Sequence, residues 1–164
     1  MKKDIFVEES KIQGEGVFAV KGFKKGESIL DVDDTHIVTD TSILTKKNYD
    51  FDLDFLANGK IVWMQPPEKY INHSCDPNVY FKTIGGIRKV YAMRDILKGD
   101  ELVSDYSMNG WGDASFECKC GSENCRKIWY ADFFKFPIAV QKKYLPYLED
   151  WFKEQFKNKL ADSL

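Results

Sequence analysis

The sequence lacks any long hydrophobic run. Nothing in its 164 residues approaches the roughly 20 apolar residues that a membrane-spanning helix requires. The opening residues Met1-Lys2-Lys3-Asp4-Ile5 lead at once into polar sequence, so we expect neither a secretory signal nor a membrane partner. These absences favour a soluble protein of the cytoplasm or nucleus, or of a host nucleus if the chain comes from a virus or an intracellular microbe.

The chain also lacks a charge excess of either sign. It has 24 basic and 26 acidic residues, a formal net charge of −2, and the two kinds are mixed along the sequence. The basic face of a nucleic-acid binder is missing, so we expect no direct nucleic-acid binding. The slight acidity is compatible with a cationic substrate such as a lysine-rich peptide, but it is weak support.

Cysteines are few, and most are clustered. Cys118, Cys120 and Cys125 have the spacing C-x-C-x4-C, and Cys75 lies about 40 residues earlier. Disulfides are disfavoured inside cells, where clustered cysteines more often bind metal. Four thiolates match the tetrahedral coordination of one structural zinc ion, with none left over.

Short β-rich segments separated by Gly, Asp and Asn turns fill the first two thirds of the chain. With no long helices between them, they predict a compact, mostly β fold rather than a doubly wound α/β fold. The candidate strands are Asp4–Glu8, Gly16–Val20, Glu27–Asp33, His36–Val38, Lys60–Met64, Asn78–Phe81, Ile87–Met93 and Glu101–Ser104.

A weak internal repeat is visible within this β-rich part. The segment Phe18–Ile29 resembles Tyr91–Leu102, and each reads as a strand, a Lys-Gly turn followed by an acidic residue, and a second strand. Two similar hairpins arising by chance and a true pseudo-symmetry explain the pattern equally well.

The C-terminal stretch has helical periodicity. Apolar residues recur from Leu145 to Leu160 and predict an amphipathic helix at about 147–161, with Pro146 in a first turn and a short helix before it. Packing on the sheet is its expected role. Shaping a substrate groove or a dimer contact is the alternative, so a monomer and a homodimer both remain open.

Each of three further motifs gives only weak evidence of function when it is considered alone. Asn72-His73-Ser74-Cys75 leads into the turn Asp76-Pro77-Asn78, where a lone histidine is more often structural than catalytic. Gly14-Glu15-Gly16 lacks the setting of a dinucleotide fingerprint and reads equally well as a hairpin turn. The strand in Glu101-Leu-Val-Ser-Asp-Tyr106 ends in a tyrosine that is either an ordinary rim residue or a group that orients a reactant.

In this order, the motifs resemble those of the SET-domain protein lysine methyltransferases. The early G-x-G, the Asn-His-Ser-Cys segment and the Glu-Leu-x-x-Asp-Tyr strand are all similar, and the C-terminal cysteines resemble a post-SET zinc segment. The resemblance spans roughly residues 5–130. It divides the chain into a SET domain at 1–116, a post-SET zinc segment at 117–130 and a helical extension at 131–164.

The resemblance implies a β-clip (SET) fold of several small twisted sheets, in which the chain near Tyr106 passes beneath the loop of Asn72–Cys75 as a pseudoknot. Zinc would join that loop to the later cysteines. The implied residue roles are as follows: S-adenosylmethionine binding by Gly14, Glu15, Gly16, Asn72 and His73, adenine packing by Trp129, catalysis by Tyr106, and zinc binding by Cys75, Cys118, Cys120 and Cys125. A buried structural tryptophan is the rival interpretation of Trp129.

The implied reaction is direct transfer of a methyl group to the ε-amine of a lysine in a histone or another lysine-rich protein. Ser104 replaces the aromatic residue that many family members carry two positions before the final tyrosine, so the number of methyl groups stays open. Tyr70 is a candidate channel residue. Alternatives are a catalytically silent SET-like module that binds a peptide or the cofactor, and a zinc-ribbon-like structural module.

Overall fold

The structure, a computed structural model, describes residues 4–162 and within them every side chain except those of residues 49–51. Residues 1–3 of the predicted SET domain and residues 163–164 of the predicted helical extension lie outside this range. The strands are β1 (Ile5–Glu9), β2 (Glu15–Ala19), β3 (Ser28–Asp31), β4 (Leu53–Phe55), β5 (Ile61–Trp63), β6 (Asn72–His73), β7 (Val79–Ile84), β8 (Ile87–Ala92), β9 (Glu101–Ser104), β10 (Ser115–Glu117) and β11 (Ile128–Tyr130). The helices are α1 (Lys46–Phe51), α2 (Ile138–Tyr144), α3 (Asp150–Gln155) and α4 (Lys157–Ala161).

The strands form small sheets, which confirms the predicted mostly β class. One sheet has the order β1-β2-β9-β6, a second has the order β3-β8-β7, and the pairs β4-β5 and β10-β11 form two more. The pair β6-β9 is parallel, whereas the other pairs are antiparallel. Over residues 4–162, no helix combines the length and the apolarity needed to cross a bilayer.

The internal repeat is a true pseudo-two-fold arrangement. Residues 73 positions apart are equivalent (18 and 91, for example), and the equivalent pair Phe23 and Ile96 exchange two backbone hydrogen bonds of 2.9 Å. Ala19 N–H donates to the carbonyl of Asp100, and its counterpart Ala92 N–H donates to that of Glu27. The two hairpins therefore pair with each other through symmetric contacts, which a chance likeness would not produce.

Asn78 joins the loop after β6 to β9. Its Nδ2 donates to the carbonyl of Glu101, and its Oδ1 accepts from the N–H of Val103, both at 2.8 Å. Ser74 N–H donates to the carbonyl of Ser104 at 2.9 Å. These bonds place the Asn-His-Ser-Cys loop directly against the strand that leads to Tyr106, as the predicted pseudoknot requires.

The segment between β3 and β5 is held by a buried arginine. Arg88, on β8, is 8% exposed and pairs with both Asp34 and Asp54. A charge at this depth needs such partners, because an unpaired one would destabilise the fold. Next to this cluster, the strand predicted at His36–Val38 is only a single bridge between Ile37 and Val62.

The C-terminal helices pack on a second core of aromatic residues that includes Phe133, Tyr144 and Phe152. The single helix predicted at about 147–161 is divided into α3 and α4 at Phe156, where φ is −111° and ψ is 22°. Pro146 lies in the first turn of a short 3-10 helix, Leu145–Tyr147, rather than in an α-helix. The Phe156 ring packs against that of Phe152 in a tilted arrangement, with ring centroids 4.6 Å apart.

Candidate functional site

The site begins where β6 and β9 lie side by side. Asn72 is in register with Val103, and His73 with Ser104, so the Asn-His pair and the end of the Glu-Leu-x-x-Asp-Tyr strand are neighbours. Tyr106 follows immediately, and its ring lies 5.3 Å from that of His73. Two motifs that are 33 residues apart in sequence thus form one surface.

Tyr106 has an accessible ring and an enclosed hydroxyl group. The residue is 42% exposed, yet its hydroxyl donates a 2.8 Å hydrogen bond to the carbonyl of Ile71. Burial of the hydroxyl, followed by the charges of Asp54 and Glu101, raises the pKa of Tyr106 well above its usual value. The phenol therefore stays protonated at neutral pH and can orient a neighbouring group, but it is not a phenolate base.

The Asn72 side chain is held on its donor side. Its Nδ2 donates to the carbonyls of Gln13 and Glu15 at 3.1 and 2.9 Å and lies 2.9 Å from the Glu101 carboxylate. The same carboxylate accepts from the Ser10 hydroxyl at 2.8 Å. This arrangement fixes the orientation of the amide and turns its Oδ1, an acceptor, away from these partners.

The two glycines of the G-x-G turn are required for different reasons. Gly14 has a φ of +51°, in the left-handed region that side chains with a Cβ disfavour. Gly16 lies so close to the Glu101 carboxylate that a Cβ added to Gly16 would be only 2.5 Å from Glu101 Oε1. The turn is therefore shaped around the carboxylate that holds Asn72.

A cavity of about 220 Å³ opens on this surface. We call it the Asn72 cavity. Five predicted site residues line its wall, namely Asn72, His73, Tyr106, Cys118 and Cys120, and the remaining lining residues are Ile12, Gln13, Phe116, Glu117 and Lys119. The sequence motifs did not single out Ile12, Gln13 or Phe116, and only their closeness to Asn72 in space reveals them.

Residues 115–130, which we call the cysteine segment, contribute Phe116, Glu117, Cys118, Lys119 and Cys120 to the cavity wall. Within it, Phe116 stacks on Trp129 with centroids 4.7 Å apart and planes at 22°. Phe116 also meets the His73 ring edge-on at 6.0 Å. Phe116 is therefore the aromatic side chain that the cysteine segment contributes to the cavity wall. Trp129 is stacked on it, and the buried indole N–H of Trp129 has no hydrogen-bond partner among the described residues.

All four cysteines converge at the base of the cysteine segment. They form no disulfide, and their sulfurs lie within 4.8 Å of one another, with Cys75 and Cys118 at 3.7 Å. A tetrahedral zinc with bonds of about 2.3 Å places its sulfurs about 3.8 Å apart. Backbone N–H groups of Cys75 and Arg126 approach the sulfurs of Cys120 and Cys75 at 3.4 Å, as expected around thiolates. The residues present fit a structural zinc ion.

His73 lies between the cysteines and Tyr106. Its Nδ1 accepts from the N–H of Tyr106 at 3.3 Å, and its Nε2 is 3.6 Å from the sulfur of Cys75. Burial lowers the pKa of His73 to about 4, so the ring is neutral at physiological pH. With Nδ1 accepting, the ring proton belongs on Nε2, where it faces the thiolate.

Ser104, predicted to influence the number of methyl groups, and Tyr70, a candidate channel residue, lie elsewhere. Ser104 is 3% exposed at the end of β9 and is not on the Asn72 cavity wall. Tyr70 lines a separate cavity of about 450 Å³, together with Trp63 and Met64.

These features are those of a SET domain, and comparison with known proteins agrees. The sequence profile of the SET domain matches residues 14–107, more than half of the chain, so the chain belongs to the SET-domain family. The cysteine cluster is consistent with a post-SET zinc segment.

Several relatives are histone-lysine N-methyltransferases. The chain is 30% identical over 139 residues to the trr protein of Drosophila melanogaster and to protein 2D of Homo sapiens, covering 77% of this chain but only 6% and 2% of theirs. A crystal structure of a candidate histone methyltransferase from Plasmodium falciparum superimposes with a TM-score of 0.54 at 27% identity, covering 65% of this chain and 95% of that one.

Proposed function

We propose that the chain is a protein-lysine N-methyltransferase that transfers a methyl group from S-adenosylmethionine to a lysine of a histone or another lysine-rich protein. The observation that carries the proposal is the meeting of Asn72 and Tyr106 on one cavity wall, closed by the cysteine segment. The histone-lysine methyltransferase relatives support the same reaction.

In this proposal the methionine end of the methyl donor lies near Asn72. The free Oδ1 would accept from the donor's ammonium group, because Gln13 and Glu15 engage the amide nitrogen. Backbone at Gly14–Gly16 and at Asn72-His73 would line the rest of the donor site. Phe116, with Trp129 stacked on it, supplies the aromatic surface for an adenine ring.

The lysine amine must be neutral to react, and an unperturbed lysine has a pKa of about 10.4. An aromatic, poorly solvated channel disfavours the charged form and lowers that pKa. Tyr106 would orient the amine, whose lone pair forms the new N–C bond as the S–C bond breaks, and the amine proton leaves to solvent. The protein's contribution is alignment of the reacting atoms, with no covalent intermediate.

Cys75, Cys118, Cys120 and Cys125 would bind one zinc ion whose role is structural. Four thiolates leave no open coordination position for a reactant. Ser104 stays as a candidate determinant of the number of methyl groups transferred, and Tyr70 stays as a candidate channel residue.

The test is transfer of labelled methyl from S-adenosylmethionine to a mixture of histones and lysine-rich peptides, followed by mass spectrometry of the product. We expect labelled lysine with the native protein and at least about a hundredfold less with Tyr106→Phe. If S-adenosylhomocysteine binds but no member of the mixture accepts methyl, the silent cofactor-binding module is the better account.

A further inference from the structure

A buried ion pair lies where three parts of the chain meet. Asp105, between β9 and Tyr106, has a fully buried side chain. Arg126, next to Cys125, donates from two guanidinium nitrogens to the two carboxylate oxygens of Asp105, at 2.8 and 3.0 Å. This two-point geometry is the strongest form of an arginine–carboxylate contact.

Arg126 also contacts the cysteine cluster and the C-terminal extension, residues 131–162. Its backbone N–H lies 3.4 Å from the sulfur of Cys75, and its guanidinium lies over the Phe136 ring at 4.5 Å. From the same extension, the Tyr144 hydroxyl approaches Asp105 at 3.5 Å. One side chain therefore links the catalytic strand, the cysteine segment and the extension.

Removal of the arginine would leave Asp105 charged, buried and without its main partner. Such a charge is strongly unfavourable, and the protein can relieve it by admitting water. Water can reach Asp105 if the cysteine segment moves away from β9, and that movement opens the cavity wall formed by Phe116 and Cys118. The ion pair thus favours the closed arrangement over the open one.

We propose that Arg126 is a positioning residue that holds the cysteine segment closed over the Asn72 cavity, in addition to the metal. The proposal rests on the function proposed above for the role of the cavity, but closure of the segment is a property of its own. The C-terminal extension takes part, because Phe136 and Tyr144 fix the two members of the pair.

The experiment compares the native full chain, loaded with zinc, with Arg126→Gln and Arg126→Lys. Three quantities are measured: zinc per chain, the Kd of S-adenosylhomocysteine by calorimetry, and hydrogen exchange of residues 115–130. We expect Arg126→Gln to keep its zinc, to bind at least about tenfold more weakly and to exchange faster in the cysteine segment. Arg126→Lys keeps the charge but loses the two-point geometry, so it should fall between.

Arg94→Gln is the matched control. Arg94 pairs with Asp76 near the same loop, but both side chains are well exposed, at 49% and 38%, so its loss should leave all three quantities near native. Native binding and exchange in a zinc-loaded Arg126→Gln would overturn the proposal. Loss of zinc, with binding restored by added zinc, would also overturn it, because Arg126 would then act through the metal. If the native chain itself binds no S-adenosylhomocysteine, the proposed function fails and the exchange of residues 115–130 alone decides on Arg126.

Discussion

The wall of the Asn72 cavity formed by Asn72 and Tyr106 and the wall formed by the cysteine segment are held in different ways. The first wall belongs to a four-stranded sheet, and backbone and Asn78 hydrogen bonds fix it on an apolar core. The second contains one three-residue strand pair, β10-β11, whose residues are mostly exposed. Its fixed points are side chains: the four cysteines and Arg126.

Because the two walls are held differently, the sheet can fold in one step and the cysteine segment can complete the site in another. The sheet carries Asn72 and leads to Tyr106, and its residues contribute to an apolar core. We therefore expect the sheet to fold without the segment. The segment buries little, so we expect its order to depend on the proposed zinc ion and on the Asp105–Arg126 ion pair. A site completed in this way can lose cofactor binding while its framework stays folded.

Removal of the metal should have the largest effect on the difference between the two walls of the cavity. Cys75→Ser leaves only three thiolates for the metal, and chelation removes the metal itself, so in both cases the segment loses its attachment. We expect cofactor binding and methyl transfer to become undetectable. Structural zinc sites contribute on the order of 10 kcal/mol of folding free energy to the segments that they organise. Circular dichroism should still report a folded β-rich protein; global unfolding would contradict a self-sufficient framework.

Tyr106→Phe tests the sheet side of the site. The change removes the hydroxyl that donates to Ile71, which costs about 1 kcal/mol of stability, while transfer should fall by at least about a hundredfold. Steady-state kinetics and denaturant unfolding measure the two effects. Tyr91→Phe, a tyrosine of β8 away from the cavity, is the control, and equal activity losses in both variants would refute a specific role.

Gly16→Ala sharpens the role of Glu101. The new Cβ would lie 2.5 Å from Glu101 Oε1, so the carboxylate must move and Asn72 loses one of the three contacts that orient its amide. We expect cofactor affinity to fall roughly tenfold, an effect of one misplaced polar contact. In Gly14→Ala the Cβ meets nothing within 4 Å, so the cost of roughly 1 to 2 kcal/mol should appear in stability instead. A larger loss of affinity in Gly14→Ala than in Gly16→Ala would contradict this division.

The smallest expected effect is the contribution of Glu149 to the pH dependence of stability. Glu149 lies where the C-terminal extension contacts β7. It is 3% exposed, and burial raises its pKa although Thr83 donates to it from N–H and hydroxyl. The folded protein therefore keeps this proton to a higher pH than the unfolded chain does, so the stability contribution of Glu149 is present below pH 4.5 and falls as pH rises through the folded pKa.

Glu149→Gln keeps a neutral acceptor for Thr83 at every pH. The free energy of unfolding of the native protein, relative to that of this variant, should therefore decrease from pH 5 to pH 8. Urea unfolding of both zinc-loaded proteins measures the difference, and an increase over that range would show that Glu149 is favourably ionised.

Local pattern predicted the parts of the molecule that are local. The strand Glu101–Ser104 has the bounds predicted for it, and the spacing of the cysteines predicted their convergence. The two-residue strand β6 was missed because it is too short for periodicity. The break at Phe156 was missed because the apolar spacing continues through it.

Contacts between residues that are far apart in the chain cannot be predicted from patterns in a single sequence. Asp105 and Arg126 are 21 residues apart, and Glu101 and Asn72 are 29 apart, so no helical or strand period connects them. The sequence does not predict Phe116 as a site residue, because it belongs to none of the motifs and a single aromatic residue at this position does not indicate a binding role. Only the fold brings these side chains together.

The decisive measurement is hydrogen exchange of the native chain with zinc bound and after chelation. We expect amides of residues 115–130 to exchange much faster without metal, while those of β2 and β9 keep their protection. Loss of protection throughout the chain, or no change in residues 115–130, would contradict the claim that a metal-held segment completes a site on a self-sufficient framework.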